Sequence, residues 1–202
     1  MLAGMVSLPG ALRLIGRHGP RWLYAGGNRS DRWRDPDAVV GALGLRSGDR
    51  VADIGAGYGT FTGRLARAVA PDGVVYAVDA DLALLERLER WARDAALDNI
   101  HTVAARGERL ELPEPVDLLF GAAVFHHLPE QIAYFTDARA LLRPGGRVTI
   151  LESRREGLLR CLFPHGTAPA EVRATMRAAG FVPLAELDLV HGHLFAILGV
   201  PA

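Results

Sequence analysis

Val51-Ala52-Asp53-Ile54-Gly55-Ala56-Gly57-Tyr58-Gly59-Thr60 is followed, one helix later, by Val74-Val75-Tyr76-Ala77-Val78-Asp79. The first apolar run ends in an acid and a glycine-rich turn. The residues from about Tyr58 to Ala70 then carry helical periodicity, and the second apolar run ends in a carboxylate. This is the pattern of a βαβ unit that holds a nucleoside: glycines let the backbone approach a ligand, and an acid about 20 residues on accepts from ribose hydroxyls. The dinucleotide fingerprint G-x-G-x-x-G needs glycine at position 60, where this chain has Thr60. Its glycines are Gly55, Gly57 and Gly59, with Asp53 two residues before the first.

Working outward, residues 1–34 read as a lead segment and cover, and 35–202 as the main domain. Asp35 and Pro36 fit an N-cap and first helical position for a helix to about Leu43. Strand 1 (50–54) and its helix are followed by the turn Pro71-Asp72-Gly73 and strand 2. Asp81 then caps a helix with leucines at 82, 84, 85 and 88. Strands are expected at 99–103, 116–120 and 147–151. Pro129 opens a helix through Leu142 that Arg143-Pro144-Gly145-Gly146 stops. Pro169 opens another, closed by Gly180, before two alternating runs, 181–189 and 193–200, joined as an antiparallel hairpin. The fold class is α/β: a Rossmann-like doubly wound sheet of seven strands, mostly parallel, with an antiparallel C-terminal hairpin strand.

The 202 residues carry 23 basic and 23 acidic side chains, all the basic ones arginine. Zero formal charge argues against nonspecific nucleic-acid binding, so no nucleic-acid partner is expected. Cys161 is the only cysteine, which excludes an intrachain disulfide and a thiol metal cage. Met1 to Leu12 is apolar but broken by Gly4, Pro9 and Gly10 and ended by Arg13, too short for a membrane span. A cytoplasmic protein is the expectation.

From about Arg32 to Val200 the chain resembles a small bacterial class I S-adenosylmethionine (SAM)-dependent methyltransferase, of the methyltransferase type 11-like kind. The resemblance is carried by the glycine loop, by Gly107-Glu108 with Leu112-Pro113, and by Val116-Asp117-Leu118-Leu119-Phe120. Phe125-His126-His127-Leu128, Leu142-Arg143-Pro144-Gly145-Gly146 and Ala178-Ala179-Gly180-Phe181 continue it in order. It implies SAM as cofactor and methyl transfer to a small-molecule acceptor. It also implies roles: Asp53 orients the loop and meets the methionine portion, while Gly55, Ala56 and Gly57, with Tyr58, pass beneath the ligand. Asp79, with Ala80, takes the ribose hydroxyls, Gly107 and Glu108 sit on the adenine side, and Gly121 lies after strand 4. Glu108 departs from the aspartate frequent in the family, and Gly121-Ala122-Ala123 brings no polar side chain where relatives often have one.

His126 is the candidate catalytic base, since an imidazole titrates near neutrality and a strand-end residue projects over the sheet edge. Trp33, His127 and His165 are candidate acceptor-side residues. No metal site is expected, because no H-x-x-x-H pair lies on a helix. Asp79 has a rival role as N-cap of the following helix, a task Asp81 can share. Two rival functions stand beside methyl transfer: a SAM-binding sensor or accessory module without turnover, and a nicotinamide-linked oxidoreductase, which Thr60 disfavours.

Overall fold

The computed structural model describes residues 35–106, 108–153 and 166–201. Trp33, Gly107, His165 and the lead segment 1–34 lie outside the described residues. In chain order the elements are α1 (Pro36–Ala42), β1 (Arg50–Ile54), α2 (Thr62–Val69), β2 (Val74–Asp79), α3 (Leu82–Asp94), β3 (Ile100–Ala104) and β4 (Val116–Ala122). A 3-10 turn (Phe125–His127) leads to α4 (Gln131–Ala138) and a second one (Arg139–Leu141). β5 (Leu142–Ser153), α5 (Pro169–Ala178), β6 (Val182–Leu187) and β7 (His193–Gly199) follow.

The seven strands form one sheet in the order β3-β2-β1-β4-β5-β7-β6. Pairings from β3 across to β5 are parallel, and β7 runs antiparallel to both β5 and β6. The expected mixed sheet with a C-terminal hairpin at one edge is therefore present. Its order reverses at β1: the chain moves outward to β2 and β3, then returns to place β4 on the other side. Crevices at such reversals are where open α/β sheets bind ligands.

Helices cover both faces, which is why β1 and β2 are apolar almost without interruption. On one face Ala52, Ile54, Leu119, Val148 and Ile150 pack with Phe125, Phe135 of α4 and Val172 and Met176 of α5. On the other, Val51, Val75, Leu118 and Phe120 pack with Val39 and Val40 of α1 and Leu65 and Val69 of α2. Among the described residues no helix is long and apolar enough to cross a membrane.

Several element boundaries differ from the sequence expectation. The helix expected from Tyr58 begins at Thr62, because Gly57 and Gly59 take φ of 54° and 80° and the N–H of Gly59 turns back to the carbonyl of Ala56. The helix expected from Pro129 begins at Gln131, after Glu130 at φ 36°, and ends before Leu142. Leu142 instead opens β5, with Pro144-Gly145-Gly146 forming an irregularity where pairing with β4 shifts register. At its other end β5 runs two residues past Leu151, because β7 supplies partners for Glu152 and Ser153 in Leu194 and His193.

Candidate functional site

The C-terminal ends of β1, β2 and β4 flank the reversal point, and each delivers a segment expected there. After β1 the loop is anchored by its backbone: the N–H groups of Gly55 and Ala56 donate to the carbonyl of Val78 at 2.8 and 3.0 Å. Gly55, Gly57 and Gly59 all have positive φ, a region glycine alone enters without cost. What surrounds each glycine differs. A Cβ at Gly55 would lie 2.5 Å from a methyl of Val124, and one at Gly59 2.5 Å from Leu88. At Gly57 the nearest atom would be the Gly55 carbonyl oxygen at 3.8 Å. Gly55 and Gly59 are thus held small by this chain's own packing, while the backbone at Gly57 borders open space.

Asp79 ends β2, half-buried, beside that opening. Its Oδ2 accepts from the N–H of Gly57 at 2.8 Å and its Oδ1 from the N–H of Asp81 at 2.9 Å. Asp81 takes the rival role considered for Asp79: it caps α3, accepting from Ala83 and Leu84. Asp79 is thereby left to brace the glycine loop. Each carboxylate oxygen has capacity for a further donor, such as a ribose hydroxyl. Ala80 next to it is exposed.

Asp53 is 2 % exposed, and its Oδ2 accepts from the hydroxyl of Thr62 at 2.6 Å, tying the end of β1 to the start of α2. Burial pushes its carboxyl up to about 7, opposed by the Thr62 hydrogen bond and reinforced by the negative charge of Asp79. Tyr58 is half-buried, with the guanidinium of Arg87 5.1 Å from its ring centre. Glu108 is exposed and Gly121 buried beneath Val124.

After β4, Ala123 adopts φ 53°, unusual for a residue with a side chain. This reversal carries Val124 over Gly55 and Gly121 and feeds the 3-10 turn. His126 and His127 lie within that turn, not at a strand end. They do not diverge as adjacent strand residues would; their ring centres are 4.0 Å apart. His127 is exposed. The side chain of His126 is only 16 % exposed, and its Nδ1 lies 3.0 Å from Oε1 of Glu152. His126 therefore lies in the turn and not at the strand end from which it is expected to project, and its ring sits beside the end of β5.

Glu152 was not anticipated, since strand 5 was expected to stop at Leu151. The signal was nonetheless available. Val148-Thr149-Ile150-Leu151-Glu152 is an apolar run ending in an acid, as is Val74 to Asp79.

Comparison with known proteins fits this arrangement. Residues 51–146 match a family model described as a methyltransferase domain. The chain is 30 % identical over 161 residues to a 27-O-demethylrifamycin SV methyltransferase of Amycolatopsis mediterranei, covering 78 % of this chain and 56 % of that protein. The chain belongs to the class I SAM-dependent methyltransferases. A ubiquinone/menaquinone biosynthesis C-methyltransferase of Pseudomonas paraeruginosa is 35 % identical over 118 residues, 54 % of this chain and 43 % of that one. The chain thus spans about half the length of these curated relatives. A crystal structure of a SAM-dependent methyltransferase from Aquifex aeolicus shares the methyltransferase fold, with a TM-score of 0.71 at 23 % identity, covering 83 % of this chain and 90 % of that one. The residues present fit the family's methyl donor. An acid suited to a ribose stands at the end of β2, beside a backbone that has open space at Gly57.

Proposed function

We propose that this methyltransferase chain catalyses transfer of the SAM methyl group to a small-molecule acceptor. The observation that carries the proposal is Asp79, relieved of helix capping by Asp81 and fixed by its bond to Gly57 at the switch point of the sheet. In this reading Asp79 and Ala80 receive the ribose, and Asp53 stands under the methionine end. Gly55, Ala56, Gly57 and Tyr58 form the floor, and Gly107 and Glu108 border the adenine. Gly121 and the turn bearing His126 and His127 bound the acceptor side, with Trp33 and His165 completing it.

SAM brings a methyl already activated by its sulfonium, so the protein's share is mainly alignment, an effect worth roughly 7–11 kcal/mol. The named relatives support an organic acceptor, one methylating 27-O-demethylrifamycin SV and the other being a C-methyltransferase. The division into a lead segment 1–34 and a domain 35–202 belongs to the same proposal; the seven strands of the described residues build the sheet of the latter. Calorimetry of the full chain with SAM, S-adenosylhomocysteine and NAD tests the reading. Binding of the first two and not the third is expected. NAD binding with no response to SAM refutes it. S-adenosylhomocysteine formed with a broad acceptor panel separates an enzyme from a SAM-binding module without turnover.

A further inference from the structure

Asp53 stands one residue from the end of β1, buried, and Asp79 ends the adjacent strand β2. A carboxylate removed from water needs a cation or several donors to stay ionised. Asp53 has the hydroxyl of Thr62 on α2, and among the described residues no cation acts on it. The arginines of α2 are turned to other groups: Arg64 bonds to Asp37 of α1 and the carbonyl of Thr60, and Arg67 to the carbonyl of Gly63. The strand neighbours of Asp53 are the uncharged Ala77 on β2 and Phe120 on β4. Burial raises its carboxyl to about 7, the Thr62 bond opposing and the like charge of Asp79 adding. An asparagine would accept the same hydroxyl without any cost of ionisation. What only a carboxyl can do here is gain a negative charge when a positive one arrives.

SAM and its product S-adenosylhomocysteine share ribose, adenine and amino acid, and differ in one positive charge on sulfur. That sulfur is one methylene from the ribose ring. A ligand whose ribose is held by Asp79 therefore carries the difference in charge into the region where Asp53 and Asp79 act on each other. We propose that Asp53 is the residue that tells donor from product, ionising when the sulfonium enters and regaining a proton once the sulfur is a neutral thioether. The inference rests on the methyl-transfer reading above. The O–H bond of the Asp53 carboxyl breaks on SAM binding and its proton goes to solvent. After the methyl has left, Asp53 takes a proton back from solvent. The exchange needs no further reactant and is separate from any proton the acceptor loses. It makes the ionised site hold SAM by charge and leaves the product without that attraction.

The protons can be counted without turnover. Calorimetric titration of the full chain at pH 6.5, in buffers of different ionisation enthalpy, gives the number exchanged per ligand bound. A cation close to a carboxylate lowers its pKa by roughly 1–3 units, so SAM should release about 0.7 proton from Asp53 and S-adenosylhomocysteine clearly less. By linkage, the preference for SAM over S-adenosylhomocysteine should rise about tenfold from pH 5.5 to pH 7.5. Asp53→Asn should remove the difference in proton release between the two ligands and make the preference independent of pH. If Asp53→Asn does not fold, the wild-type proton counts decide.

No proton release with SAM, equal release with both ligands, or a difference that survives in Asp53→Asn overturns the proposal. Each of these results requires both ligands to bind. Failure of the wild type to bind either one is a separate result, and it sinks the underlying reading instead.

Discussion

Replacing Asp53 by asparagine should make the ligand-free protein more stable as pH rises, while weakening SAM binding. The folded-state value of about 7 lies well above the ordinary value for an aspartate in an unfolded chain, about 3.9. The native state therefore retains a proton that the unfolded chain has released, and stability is lost as pH rises through this window. Linkage puts that loss at about 1.5 kcal/mol at pH 5 and about 4 kcal/mol at pH 8, relative to a side chain that does not ionise. Asparagine keeps an oxygen for the Thr62 hydroxyl and escapes the penalty. The variant's advantage over wild type should accordingly grow by roughly 2–3 kcal/mol between pH 5 and pH 8. For a chain of this length that amounts to a Tm difference widening by roughly 5–10 °C. Urea unfolding of both proteins at matched pH values, with equal m-values, measures it directly. Taking the difference between the two proteins cancels the other titrating groups. A difference that stays constant from pH 5 to pH 8 would show that Asp53 is already ionised in the folded protein, and the burial argument would fail.

Two further perturbations address the same loop. Asp79→Ala removes the acceptor proposed for the ribose and should weaken SAM binding by roughly 1.5–3 kcal/mol, or about ten- to 150-fold, by calorimetry; an unchanged Kd would assign the ribose contact elsewhere. Gly55→Ala forces a side chain into φ 71° and against Val124. It should cost roughly 2–5 kcal/mol from left-handed strain and overpacking together, part of which Val124→Ala in the same chain should recover. Strict additivity of the two substitutions in urea unfolding would mean that the two residues do not collide.

Several features of this protein are written locally in its sequence. Asp81 before a leucine-patterned stretch announces its cap, because a side-chain oxygen and two N–H groups close in sequence suffice. The βαβ unit is equally legible, since continuous apolar strands, a glycine loop and a terminal acid all fall within some thirty residues. The sheet class follows from strands alternating with helices. The sequence left open whether Asp79 serves the helix or the loop, because both tasks use the same residue type. The bond from Gly57 to Asp79 decides it, between residues that only the pairing of β1 with β2 brings together.

The His126–Glu152 contact was out of reach for the same reason. Its partners are 26 residues apart on different elements. One is aimed by a 3-10 turn that follows the reversed backbone at Ala123. The other is held in β5 by pairing with β7, some forty residues later in the chain. Local propensity and periodicity say what each residue can form with its neighbours along the chain. Which side chains meet across the sheet depends on register and close packing between distant segments, and only the tertiary structure sets those.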